Sequence, residues 1–322
     1  MKTILRTFVG CTAILFGTAC MGAVKYVPEN MKVELSLKVP GNNAVNYKLH
    51  PDKLENSYFD YEWRSDNKLP ITVFHKVEER DSCMRLTVQL TAAQDVYFNY
   101  RQLLSTGYRH DNCQFYMPGF WYRRNLRSPK KAPSFHTSDS WLVREDRLSA
   151  PLTGIFSEKE KRFMTVNRLD DFSMDALATH KEGEIILSGK TSLGFTGFEN
   201  QQGIAMLSFG FPYREAPKSY IRKLTLAPEV EAFQLMKKGE SVLLTWEIME
   251  SGADDFSDFI QHTWEHCYDT YAPKPVENSY SIADMKQVLS CFFVNSLVDN
   301  QPLVYNSGIH LKVSDCERNG QA

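Results

Sequence analysis

The sequence predicts a mainly β protein: a large antiparallel β-sandwich followed by a short C-terminal helical segment. Short runs of alternating, β-branched or aromatic residues recur from about residue 32 to residue 250, with no helical crossover between them. Many strands at short spacing without crossovers stack as antiparallel layers. At Ser251 the apolar spacing changes to that of a helix.

Residues 1–23 read as an export signal. Lys2 and Arg6 give a positive start, FVGCTAILF is a short apolar run, and GTAC supplies small residues before Cys20. The run is too short to cross a bilayer as an anchor helix. GTAC also resembles a bacterial lipoprotein box without its usual Leu, so two outcomes stay open: lipidation of Cys20, or plain cleavage near Ala19 or Ala23. Both place the mature chain in the periplasm or at the outer membrane. Membrane contact would come only through a lipid on Cys20.

The sandwich is expected over residues 24–250. VELSLKV alternates Val33, Leu35, Leu37 and Val39, and MRLTVQL alternates Met84, Leu86, Val88 and Leu90. DVYFNY, RFMTVN, EIILSG, GIAMLSFGF and YIRKLTLAP are further strand-like runs. EVEAFQLMKKGESVLLTWEIM reads as a hairpin, because two runs flank the turn residues Lys237, Lys238, Gly239 and Glu240. Residues 112–151, punctuated by Pro118, Pro129, Pro133 and Pro151, read as one long loop. Long ordered loops on β scaffolds often carry function.

Residues 251–322 are expected to form a helical linker with a second helix after it. In DDFSDFIQHTWEHCYDTY the residues Phe256, Phe259, Ile260, Trp264, Cys267, Tyr268 and Tyr271 recur at helical spacing, and Pro273 and Pro275 stop that helix. SIADMKQVLSCFFVNSL predicts a second helix with Ser281 and Asp284 as a capping box and Ile282, Met285, Leu289 and Phe292 as its buried stripe.

The chain has 322 residues, 43% of them hydrophobic, and a net charge of −2. Its pI is near 6.5. Such a balance excludes a generally basic nucleic-acid binder, and no nucleic-acid partner is expected. Seven cysteines include no CxxC pair, so neither a zinc knuckle nor a thioredoxin-type site is indicated. A Cys83–Cys113 disulfide and buried free thiols both remain open.

MPGFWYRRNLRSP, residues 117–129, gathers three aromatics and three arginines. With residues further along the same segment it gives the candidate binding set Trp121, Tyr122, Arg123, Arg124, Arg127, Trp141 and Arg144. Sugars present C–H faces that stack on aromatic rings, while arginine forks suit acidic sugars or paired hydroxyls. Packing of these side chains within the loop or against a neighbouring domain is the competing reading.

REDRLSAP carries Glu145 and Asp146 between arginines. Adjacent carboxylates on a strand point to opposite faces, so they cannot flank one glycosidic bond, and ion pairing is the expected role. His262, Glu265 and His266 match the inverted zinc-protease pattern H-x-x-E-H. Measured from Ile260 at about 100° per residue, however, they point away from the buried face, which predicts a solvated surface and no metal. No phosphate loop, nucleophile elbow or cofactor motif is present, and no cofactor is expected.

The segment MPGFWYRRNLRSPKKAPSFHTSDSWLVREDRLSAPLTGIF, together with the later hairpin and two helices, resembles the N-terminal β-supersandwich region of exported six-hairpin glycosidase-like enzymes of Bacteroidota, over approximately residues 33–303. The resemblance implies a glycan-degrading context, with an oligosaccharide or polysaccharide as partner. It also implies an (α/α)6 catalytic domain, of which this sequence offers one helix, residues 281–297, so truncation before the toroid is expected. That family's catalytic carboxylates lie mainly on the toroid, and none is carried over here. The expected function is therefore a non-catalytic sandwich module of a glycoside hydrolase. The alternative is a glycan-binding surface lipoprotein.

Overall fold

In the computed structural model, the described residues are 27–80, 83–126, 133–170, 181–222, 225–274 and 280–295. They form a mainly antiparallel β structure with two helices, α1 (Phe256–Tyr271) and α2 (Ile282–Asn295). One layer runs, in spatial order, Val45–Lys53, Met31–Lys38, Val96–Arg109, Ile204–Phe211, Phe195–Gln201 and Trp141–Arg144. The other runs Tyr61–Arg64, Ile71–Glu79, Cys83–Ala92, Ser241–Gly252, Arg162–Arg168, Leu152–Ser157, Cys113–Met117 and Trp121–Arg123.

Val45–Lys53 belongs to both layers. Its first half pairs with Met31–Lys38, and His50 to Lys53 pair with Tyr61–Arg64. Pro51, which cannot donate to a ladder, stands in the second half, after the strand changes partners. A smaller group lies beside the first layer: Gly183–Ile186 runs parallel to Val230–Met236, and Arg214–Glu215 runs antiparallel to it.

The layers meet through the alternation that the sequence displays. Met84, Leu86, Val88 and Leu90 are all buried, as are Val33 and Leu35 opposite them. Across the interface Phe115 stacks on Phe198 at 4.0 Å and Phe209 meets Trp246 at 5.1 Å. Thr153 and Thr196 share a buried hydroxyl hydrogen bond of 2.8 Å. Cys83, Cys113 and Cys267 are buried free thiols rather than a disulfide framework, and Cys113 donates to the Arg109 carbonyl.

Two local expectations change. Val230–Met236 and Ser241–Gly252 do not pair with each other. The turn is present, with Gly239 at φ +82 and Glu240 N donating to Lys237 O at 2.9 Å. It makes a corner between layers rather than a hairpin: Val230–Met236 continues beside Val96–Arg109, while Ser241–Gly252 pairs with Cys83–Ala92. Turn chemistry specifies the reversal but not the partner of each arm.

The expected loop at residues 112–151 likewise contains three strands among its described residues. Cys113–Met117 pairs with Leu152–Ser157, and Trp141–Arg144 pairs with Phe195–Phe198. Strands this short carry too few alternations to be read locally.

Helix α1 covers the outer face of the second layer. Phe259 is fully buried against Tyr116, Phe156 and Phe163. Gly154 makes room beneath it, since a Cβ there would meet the Phe259 ring at 2.5 Å. The residues up to Tyr271 form one compact unit, and residues 272–322 a second. Within the second, Ser281 and Asp284 form the expected capping box, each accepting from the other's backbone N–H at 3.1 Å. The stripe of Ile282, Met285, Leu289 and Phe292 is exposed rather than buried.

Candidate functional site

The aromatic and arginine segment is woven into the layers, and this redistributes the candidate residues. Trp121 and Trp141 are fully buried, with ring centroids 5.3 Å apart and Phe198 5.1 Å from Trp121. Each indole N–H is satisfied by a backbone carbonyl at 2.8 Å, Trp121 by Arg123 and Trp141 by Ser138. These tryptophans are core residues and present no face to a ligand. A large ring at the edge of a sandwich stabilises most when it seals the gap between layers.

Arg144 is also withdrawn, because its guanidinium makes two 2.7 Å hydrogen bonds to Asp146 and lies over the Tyr213 ring. Arg124 is half-buried, donates to the Cys113 and Asp111 carbonyls, and stacks over Phe135. Arg127 lies outside the described residues. Tyr122 and Arg123 remain exposed: alternation turns Tyr122 outward once Trp121 points inward, whereas Arg123, at φ +58, departs from the regular strand that would have faced it inward.

Their surroundings add a residue that sequence reading assigned to the buried face of α1. The Tyr122 ring lies 5.4 Å from that of Tyr116. Burial pushes the Tyr116 phenol well above its usual range, the neighbouring Tyr122 adds to this, and a hydrogen bond from Trp264 opposes it. Tyr116 thus joins Tyr122 and Trp264, whose side chains are 52% and 43% exposed. Arg123 holds its guanidinium 5.0 Å over Phe256 at the start of the same helix. Tyr122 and Trp264 thus both border Tyr116, and Arg123 follows Tyr122 with its guanidinium on Phe256.

The carboxylates of REDRLSAP are held in ion pairs. Glu145, fully buried, accepts from Arg168 at 2.6 Å and from the Gly194 backbone N–H at 2.7 Å. Burial raises its carboxyl above the ordinary range, with Arg168 and Gly194 acting the other way. Arg168 also reaches Asp170, and Arg147 pairs with Glu215. Carboxylates committed in this way suit a scaffold better than proton transfer.

The histidine pattern separates. His262 faces Asp258 at 3.5 Å, both half-exposed, and Glu265 accepts from Gln261 at exposed positions. His266 departs from the expected solvated face: its Nε2 lies 2.8 Å from Glu247 Oε2 on the second layer. The buried stripe of α1 is Phe256, Phe259, Thr263 and Cys267. Taking Ile260 as its centre rotates the helix by one residue, about 100°, and turns His266 falsely outward. Burial alone would raise the Glu247 carboxyl, but hydrogen bonds from His266, Cys83 and Thr270 outweigh it and hold the group at about 2.

Comparison with known proteins finds no matching family model and no matching curated sequence. Among solved structures, a polysaccharide lyase aligns with a TM-score of 0.34 and 14% identity, covering 73% of this chain and 27% of its own. The Slr1438 protein of Synechocystis aligns at 0.35 and 8%, covering 67% and 73% of the two chains. A protein assigned as a kojibiose phosphorylase from the human microbiome aligns at 0.31 and 6%, covering 82% and 27%. Two of these three are named for carbohydrate-active enzymes, and this chain spans about a quarter of the length of each of those two.

Proposed function

We propose that this chain is an exported, non-catalytic β-sandwich module that binds glycan and serves a glycoside hydrolase domain. The observation that carries the reading is the pair Tyr122 and Trp264, two half-exposed rings that both border the buried Tyr116, with the exposed Arg123 next to Tyr122 in the chain and its guanidinium over Phe256. Open rings accept the C–H faces of sugars, and an adjacent arginine fork suits hydroxyl pairs or a uronate. The ion-paired Glu145, Asp146 and Glu215 support a scaffolding role for the rest of the segment. The resemblance of residues 117–156 to the supersandwich of six-hairpin glycosidase-like enzymes supports the same reading.

Calorimetric titration against plant and host oligosaccharides tests it. Wild type should bind at least one of them, with Tyr122→Ala and Trp264→Ala each weakening affinity roughly five- to tenfold. Both substitutions are at open positions and should leave the denaturation midpoint nearly unchanged. Equal affinity in both variants, absence of binding across a broad panel, or robust turnover by the isolated chain would overturn the reading. Export belongs to the same proposal, and the mass of the mature N-terminus separates lipidation of Cys20 from plain cleavage.

A further inference from the structure

Cys83 at the start of its strand, Glu247 on the neighbouring strand and His266 on α1 converge where the helix packs against the second layer. One ligand-capable atom from each, Sγ, Oε and Nε2, lies within 4.8 Å of the others. Cys83 and Glu247 are buried, whereas the His266 side chain is 21% exposed, leaving a route from solvent. We infer that these three side chains form a binding site for a divalent transition-metal ion of the zinc class, which clamps α1 to the sandwich.

The donor chemistry fits such an ion. Thiolate, imidazole and carboxylate are its three usual protein ligands, and bonds of about 2.0–2.3 Å place the donor atoms of a tetrahedral site roughly 3.2–3.8 Å apart. His266 Nε2 and Glu247 Oε2 are already 2.8 Å apart, so the two side chains need to part only slightly. On binding, the ion displaces the Cys83 thiol proton to solvent, while His266 takes the neutral tautomer with its proton on Nδ1, which frees Nε2 to ligate beside the Glu247 carboxylate. The fourth position falls to water or to Thr270, whose hydroxyl donates to Glu247 at 3.2 Å. Arg85 Nη2 lies 3.6 Å from Glu247 Oε1, the carboxylate oxygen not used by His266. The hard oxygen-only ions, calcium and magnesium, are poor matches for a thiol and an imidazole.

The ligands come from three elements remote in sequence, so the site exists only in the folded chain. It uses His266 without His262 or Glu265, which face Asp258 and Gln261, and so differs from the H-x-x-E-H arrangement.

The test titrates chelator-treated full-length protein with zinc and, separately, with cobalt(II). One equivalent of zinc should bind, protect Cys83 from alkylation at least tenfold as read by peptide mass, and raise Tm by several degrees. Cobalt should give a thiolate charge-transfer absorption that Cys83→Ser abolishes and His266→Ala weakens. The alkylation measurement on wild type needs no variant to fold. Zinc binding below one equivalent, unchanged Cys83 alkylation, or a cobalt spectrum indifferent to Cys83→Ser would each overturn the assignment and leave the His266–Glu247 contact as a simple hydrogen bond.

Discussion

His75 sits at the join of the two layers, fully buried, with Nε2 2.7 Å from the Tyr100 hydroxyl and the Trp63 ring 5.0 Å away. Burial lowers its pKa from 6.5 to about 3. The unfolded chain therefore takes up a proton near pH 6.5 that the native protein refuses until about pH 3. Native stability must fall as pH drops through that window, by up to about 1.4 kcal/mol per pH unit. His110, also lowered by burial, acts in the same sense. Glu247, held at about 2 against an ordinary 4.5, adds its loss only below about pH 4.5. Between pH 6.5 and 4.5 the two buried histidines therefore lower stability together, and Glu145, whose burial-raised carboxyl takes up its proton above the ordinary 4.5, acts in the opposite sense. Urea midpoints measured across that interval should decline steeply in wild type and more shallowly in His75→Gln, whatever the variant's absolute stability. Equal slopes would refute this account. At this scale the candidate residues were only half legible: MPGFWYRRNLRSP shows rings and arginines, but only the register decides that Trp121 seals the core while Tyr122 faces out.

At the scale of elements, α1 shows both the power and the limit of periodicity. Its existence follows from the recurrence of Phe256, Phe259, Cys267 and Tyr271 and from the prolines beyond. Its rotation does not, because Ile260, Trp264 and Tyr268 make a second apolar stripe that competes for the inward role. The cavity above Gly154, fitted to Phe259, settles the choice. The corner at Gly239 has the same character, since nothing local tells a hairpin arm from a strand that changes layer. Phe259→Ala should cost about 3–5 kcal/mol in urea unfolding, the usual penalty for removing a buried ring. Gly154→Val, which drives a side chain into the same space, should be destabilising in the wild type and less so when combined with Phe259→Ala. Additive penalties in the double variant would contradict direct packing of ring on glycine.

For the whole molecule, the sandwich was legible because its long strands alternate cleanly, and the buried faces of Met31–Lys38 and Cys83–Ala92 can be read almost residue by residue. The pairing order was not, because neighbours such as Arg162–Arg168 and Ser241–Gly252 are far apart in sequence. The same distribution of buried residues says where the folded unit ends. Cys267 is the last hydrophobic residue in the core among those described, and Tyr271 fixes the end of α1 by donating to Asn167 and to the Arg168 carbonyl at 2.7 Å each. A chain stopped after Tyr271 should keep the cooperative unfolding and the urea midpoint of the full chain, within roughly 0.5 kcal/mol. One stopped after Gly252 loses α1 and uncovers Tyr116, Phe156 and Phe163 on the outer face of the second layer. Losing the burial of Phe256 and Phe259 as well, it should be destabilised by several kcal/mol, at about 25 cal/mol per Å² of apolar surface returned to water. Dye binding should report that exposed face. A shorter chain as stable as the full one would mean that α1 merely rests on the sandwich, whereas the buried Phe259 requires that it completes it.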